Sequence, residues 1–187
     1  MLIAAVLFFE NTGLLEGINN YSYELTYRLR GERKHDDRII IAAIDEKTLA
    51  KLGRWPIRRS YYADLLDILD QAAVVGIDLI LSEPSEEDAR LSGAITQHAK
   101  VVLPVYIDRQ FNISYPAGAF SPAGRGHVHL EQGIDGFVKE VFHTISLQSN
   151  SIPSFASVLN AVINGKKISQ PEIQKKISQH KAPDRII

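Results

Sequence analysis

Two apolar runs constrain this chain more than anything else in it. Ile39–Ile44 (IIIAAI) and Val74–Leu81 (VVGIDLIL) are rich in Ile, Val and Leu and barely alternate with polar residues. That is the pattern of strands covered on both faces. Between them lie EKTLAKLG, the compact turn RWPIRR and the amphipathic stretch SYYADLLDILDQA. Strand, helix, strand within this length predicts a βαβ unit with a right-handed crossover. Each run carries an aspartate at or near its end, Asp45 and Asp78, and Arg58 and Arg59 fall just before the long helix. A lone buried carboxylate is costly or takes up a proton. Cations at a helix N-terminus oppose the macrodipole. Pairing the arginines with Asp78 or Asp45, bidentately, relieves both problems. The four charges are therefore expected to be the polar centre. They serve either as an internal ion pair that fixes the turn or as a ligand cleft at the strand C-terminal ends.

The chain's 187 residues suffice for one domain with a full core. At 45% hydrophobic and 23% charged, it has an ordinary globular composition. The net charge of −1 argues against a nucleic-acid binder, which needs a basic face. Cysteine is absent, which excludes disulfides, thiolate zinc sites and thiol nucleophiles. Leu2–Phe9 is an apolar stretch of eight residues, whereas a membrane span needs roughly 20. It reads as the tail of a span or as a buried segment.

In chain order, Leu14, Ile18, Tyr21 and Leu25 make one stripe of a helix over Leu14–Arg30, with Gly31 as its cap. The stripe suits packing on a sheet, or a seam for a partner helix. Asp45 is placed to N-cap Glu46–Leu52 and Gly53 to end that helix. Pro56 restrains the chain and Trp55 offers an anchor. Ser60 is the expected N-cap of the next helix. Ser85 with Asp88 fits a capping box opening a helix to about His98, and Glu86, Glu87 and Asp88 all favour a helix N-terminus. A strand at Val101–Ile107 contains Pro104, which predicts an edge or a bulge. Asp108–Pro122 reads as a long surface loop. Gly126–Leu130 and Phe137–Leu147 read as an antiparallel hairpin about the turn Asp135–Gly136. Pro153 opens a helix with Phe155, Val158, Leu159 and Val162 on one face, and Ser169–Glu172 is a further capping box. The terminal Ile186–Ile187 resembles the start of a strand, implying a longer parent.

Phosphate loops, GxGxxG, GxSxG and HExxH are all missing, so no catalytic set emerges. A divalent metal on Asp45, Asp78, Glu83 or Asp88 is opposed by the neighbouring arginines. His127 and His129 share one strand face, with His143 on a neighbouring strand. They would make a metal or pH-sensing constellation if brought together, and surface residues otherwise.

The ordered elements IAAIDEKTLAKLGRWPIRR-SYYADLL, VVGIDLILSEPSEEDARLSGAI, VVLP and GHV…DGFVKEV resemble the type-2 CHASE domain, an extracytoplasmic sensory family of bacterial membrane receptors. The matching positions are Asp45, Gly53, Trp55, Pro56, Arg59, Gly76, Asp78, Asp88, Pro104, Asp135 and Gly136. Thr48, Ile57 and Lys139 depart from the pattern, which has serine, a second aromatic and arginine there. Lys139 keeps the charge but loses bidentate geometry.

The expectation is an α/β fold. It has a three-layer-like, mostly parallel sheet from βαβ units, an antiparallel hairpin in the C-terminal half and an N-terminal helix. Residues 1–13 are expected to be a membrane-proximal remnant, and 14–187 one sensor domain. The resemblance implies a non-catalytic sensor on the periplasmic or extracellular side of a membrane receptor, without a cofactor or resident metal. Its signal would be a small molecule or protein, passed through the N-terminal helix of a homodimer to a cyclase or kinase output. The membrane would be reached through flanking segments. The alternatives are a metal-dependent hydrolase or phosphotransferase using Asp45 and Asp78, and a purely dimerising domain.

Overall fold

The computed structural model describes residues 14–108, 110–133, 136–138, 140–147 and 150–165. Leu2–Phe9, Asp135, Lys139, the Ser169–Glu172 box and Ile186–Ile187 lie outside the described residues. The chain forms two compact units, Met1–Asp45 and Glu46–Ile187.

The first unit holds helix α1, Leu14–Arg30. It stops where Gly31 takes φ +66° and its amide donates to the Tyr27 carbonyl at 3.2 Å, a left-handed turn that glycine makes without a Cβ clash. The Tyr23 and Tyr27 rings meet at a tilt of 47° with centroids 4.8 Å apart, and the Arg30 guanidinium lies 4.2 Å from the Tyr27 ring centroid. Within this unit Tyr21 and Leu25, from the expected stripe, are exposed. Ile39–Ile44 is not a strand: it runs without ladder pairing, and Ile40 is 88% exposed. An apolar run has the same spelling whether or not it finds a strand to pair with, and pairing is what makes a strand.

The second unit contains α2 (Glu46–Leu52), α3 (Arg59–Ile68), β1 (Val75–Gly76), α4 (Asp88–His98), β2 (Val101–Ile107) and β3 (Ile113–Ser114). A 3₁₀ turn at Gly118–Phe120 follows, then β4 (Gly124–His127), β5 (Thr144–Leu147), β6 (Asn150–Pro153) and α5 (Phe155–Ile163). The fold class is α/β, as expected. The strand–helix–strand unit forms one step later in the chain than the apolar runs suggested: β1, α4 and β2, with β1 parallel to β2 (Val75↔Val101). On its other side β2 pairs in parallel with β4, from Val102↔Gly124 to Val105↔His127. β3 adds antiparallel at Tyr106 and Ile107.

The C-terminal half does contain an antiparallel hairpin, but it is β5–β6, with Ile145 opposite Ile152. It is not the Gly126–Leu130 and Phe137–Leu147 pair. The segment beginning at Gly124 joined the parallel sheet instead, next to the long apolar β2.

Pro104 also overturns its expectation. It is fully buried in the central strand, not at an edge. The reason lies in the ladder. Lys100 and Val102 offer their carbonyls to Val75 and Ile77 of the β1 segment, at 2.9 and 3.0 Å. In a parallel strand alternate residues bond to alternate sides, so Pro104 turns its donorless nitrogen toward β1 just beyond where that pairing ends.

Val74–Leu81 pairs over two residues only. Val75 and Ile77 are buried, whereas Gly76 and Asp78 fall on the other face. α5 lies against that second face. A Cβ at Gly76 would meet the Phe155 ring at 2.9 Å, and one at Gly126 would meet the Phe155 backbone Cα at 2.6 Å. The buried residues Tyr62, Ala63 and Leu66 of α3, Leu91 and Ile95 of α4, and Val101 to Val105 of β2 form the centre of the core.

Candidate functional site

In a βαβ unit the helix starts where the first strand ends, so the N-terminus of α4 lies at the C-terminal edge of the sheet. α3 runs alongside α4 in the same direction. Arg59 pairs with Asp88 at their N-termini and Asp64 with Arg90 further along. At their C-terminal ends His98 Nε2 meets the Leu69 carbonyl at 2.9 Å. Both N-termini therefore reach the edge where open α/β sheets receive ligands.

Here two adjacent bases meet two adjacent acids. Arg58 donates to Glu87 Oε1 from Nε at 2.7 Å and Nη2 at 2.6 Å. Arg59 donates from Nη1 to Asp88 Oδ1 and from Nη2 to the Glu83 carbonyl at 2.6 Å. Its Cζ stands 5.6 Å from the ring of buried Phe120. The same acids cap the helices. Glu87 Oε2 accepts the Ser60 amide at 3.0 Å, closing α3 from another element. Asp88 Oδ2 accepts the Ser85 amide at 3.0 Å, the reciprocal half of the predicted capping box. Helix and ion pair thus share carboxylates, so the arginines can sit at the wrong end of a macrodipole.

Burial separates the two pairs. The Arg59 and Asp88 side chains are 14% and 12% exposed, whereas Arg58 is 72% exposed. The Ser60 amide, and then the Arg58 guanidinium, hold the Glu87 carboxyl below the usual carboxylate range.

Of the four charges expected at the polar centre the structure brings together Arg58 and Arg59, and beside them it sets Asp88 and the backbone of Glu83, two further candidates. It leaves Asp78 out: that side chain is exposed, and among the described residues neither arginine bonds to it. Asp45 closes the other unit. Glu87 takes the place given to the strand acids. Its run of three acids opposite the arginine pair was the available signal, but sequence does not say which acid faces which base. Ser60 does not cap with its side chain; Arg58 stands at the N-cap position and the Glu87 carboxylate does the capping. Gly53 ends α2 as expected, at φ +108° with its amide on the Leu49 carbonyl at 2.9 Å. Trp55 is 55% exposed, and the buried side chain of that corner is Ile57. Gly136 takes φ +77°, its amide donating to the Gly133 carbonyl at 2.9 Å.

The histidines do not converge. Ser154, just after β6, bridges to His127 of β4, and its amide donates to the His143 carbonyl at 2.8 Å. His143 thus lies one strand beyond the neighbour of His127, and it is exposed. His129 is half-buried, with Nδ1 3.3 Å from the Ile107 carbonyl. His127 is 2% exposed, and among the described residues neither of its ring nitrogens has a partner. Among the described residues no cluster of three His, Cys, Asp or Glu is placed to hold a metal.

At the end of β2, Asp108 caps its own loop. Oδ1 accepts the amides of Gln110 and Asn112 at 2.9 and 2.8 Å, and Oδ2 takes the Asn112 side-chain amide at 2.8 Å. Those bonds, led by the Asn112 side chain, hold its carboxyl below the usual range. Phe111 sits at φ +61° on this loop, its ring centroid 6.4 Å from that of His129.

No described helix is long and apolar enough to cross a membrane. No curated protein and no solved structure matches the chain. A family model does, over residues 1–186, and it is that of the CHASE2 domain. CHASE2 domains are sensory and extracellular. With that match spanning essentially its whole length, the chain belongs to the CHASE2 domain family.

Proposed function

We propose that this domain is the signal-sensing part of a membrane-anchored bacterial receptor. It faces the periplasm or cell exterior and passes its state through α1 to a cyclase or kinase output inside the cell. The family match over residues 1–186 carries this reading. The geometry supports it in a second way. Two helix N-termini, held together by opposed charges, lie at the ligand-receiving edge of the sheet. Arg58 is the exposed member of that set. Its guanidinium is the one an incoming carboxylate or phosphate can take from Glu87 without unburying a charge. The signal is a small molecule or a protein presenting such a group. α1 pairs with the same helix of a second subunit, and the signal shifts a balance between two arrangements of that pair.

The test is a receptor carrying this domain in a membrane, with a measured output. Candidate signals are added outside, to the intact domain and to Arg58→Ala. A response that the intact domain gives and Arg58→Ala loses supports the reading. An output that ignores every external addition, and is unchanged when the domain is removed, contradicts it.

A further inference from the structure

His127 occupies an unusual place. It ends β4, where Ser154, the residue just after β6, meets the parallel sheet in an isolated bridge, His127↔Ser154. Its register partner on the other side is Val105, which with Ile107 and Ile152 makes a buried apolar cluster. Ile113, Ile145 and Leu147 pack against that cluster. A neutral imidazole has one donor and one acceptor, and here neither finds a partner among the described residues. Among the described residues, the one charge that bears on the ring is that of His129, itself a base. β6 and α5 carry no titratable side chain, and Tyr106, the one such group on β2, alternates to the other face. On its own strand face stand Arg125 and His129, both unfavourable to a second positive charge. His143 lies beyond Ser154 and is exposed. Burial first, and the neighbouring His129 second, lower the His127 pKa to about 4.

We propose that His127 makes the junction between the parallel sheet and the β5–β6 hairpin an acid-sensitive hinge, which opens when the imidazole takes a proton. An open hinge lets the ring reach water, where its charge is solvated, so falling pH favours the open form. The proton is then a signal of the domain proposed above, and that step rests on the extracytoplasmic reading. The hinge itself does not.

Amide hydrogen exchange on the 187-residue chain tests it, at pH 7.5 and pH 4.5, each corrected for the intrinsic rate. In the wild type, protection of Thr144–Leu147 and Ile152 is expected to fall on the order of 50-fold at pH 4.5, while Val101–Ile107 keeps its protection. In His127→Phe the hairpin is expected to stay protected. His127→Gln serves the same purpose if the phenyl ring does not fit. Equal loss across β2 and the hairpin, or equal hairpin loss in the wild type and the variants, overturns the hinge. The exchange is read on the domain alone, so a hinge that works in a receptor deaf to external pH separates this inference from the sensory one.

Discussion

Glu87 closes a helix that is not its own: its Oε2 accepts the Ser60 amide at 3.0 Å while Oε1 takes the Arg58 guanidinium. The neighbouring Asp88, on the buried side, caps its own helix through the Ser85 amide and takes Arg59 of α3 on its other oxygen. This register of two bases against two acids fixes the N-termini of α3 and α4 side by side.

The two halves of the register differ in energetic weight. Asp88→Asn leaves a guanidinium with little solvent access uncompensated, and is expected to cost about 3–5 kcal/mol. Arg58→Ala removes an exposed guanidinium and is expected to cost far less. Chemical denaturation of both variants beside the wild type checks the order. Equal losses would mean that burial does not separate the pairs.

Close approach of α5 to the sheet makes a second prediction. Gly126→Ala places a methyl group 2.6 Å from the Phe155 Cα, where backbone has to move. A loss of roughly 3 kcal/mol or more is expected. Gly76→Ala meets the tip of the Phe155 ring at 2.9 Å, and that ring can turn. A loss of about 1–2 kcal/mol is expected there. Thermal unfolding of the two variants reads the difference.

One position is open to improvement. Ala99 follows α4 at φ +60°, with its amide on the Ile95 carbonyl at 3.0 Å. Glycine is at ease in that conformation and alanine is not. Ala99→Gly is expected to raise stability by about 0.5–1 kcal/mol, seen as a higher denaturation midpoint with an unchanged slope.

Acid should destabilise the fold in a defined window. His127 titrates near 4 when folded and near 6.5 when unfolded, so between those values the unfolded chain binds more protons. Stability is full above about pH 6.5 and falls as the pH drops toward 4, by on the order of 2–3 kcal/mol. Glu87, whose folded pKa is lowered, loses its contribution in the same direction as the pH falls through the carboxylate range. Unfolding free energies at pH 7, 5.5 and 4.5 trace the first slope, and His127→Gln should flatten it.

Local signals in this sequence were strong wherever a bond closes within a few residues. The helix Leu14–Arg30 with its Gly31 stop, the helix Glu46–Leu52 with Gly53, the Ser85–Asp88 box and the strand Val101–Ile107 all stand as read. What depended on distant partners was not legible. Ile39–Ile44 spells a strand but finds no ladder, and the arginines chose Glu87 and Asp88 over Asp78. Pro104 sits at the centre because the neighbouring strand stops just before it. His127 shares its strand parity with Arg125 and His129, which spells a wet face. It is dry because β4 lies between β2 and the hairpin, a fact of tertiary assembly.

If α1 carries the signal to the output, the helical phase of α1 sets that output. One inserted residue turns everything beyond it by 100°, and seven restore the facing within about 20°. Alanine insertions of one to seven residues within Leu14–Arg30, in a receptor with a measurable output, should change basal output at one and return it at seven. Output that ignores the phase of the insertion would contradict the claim.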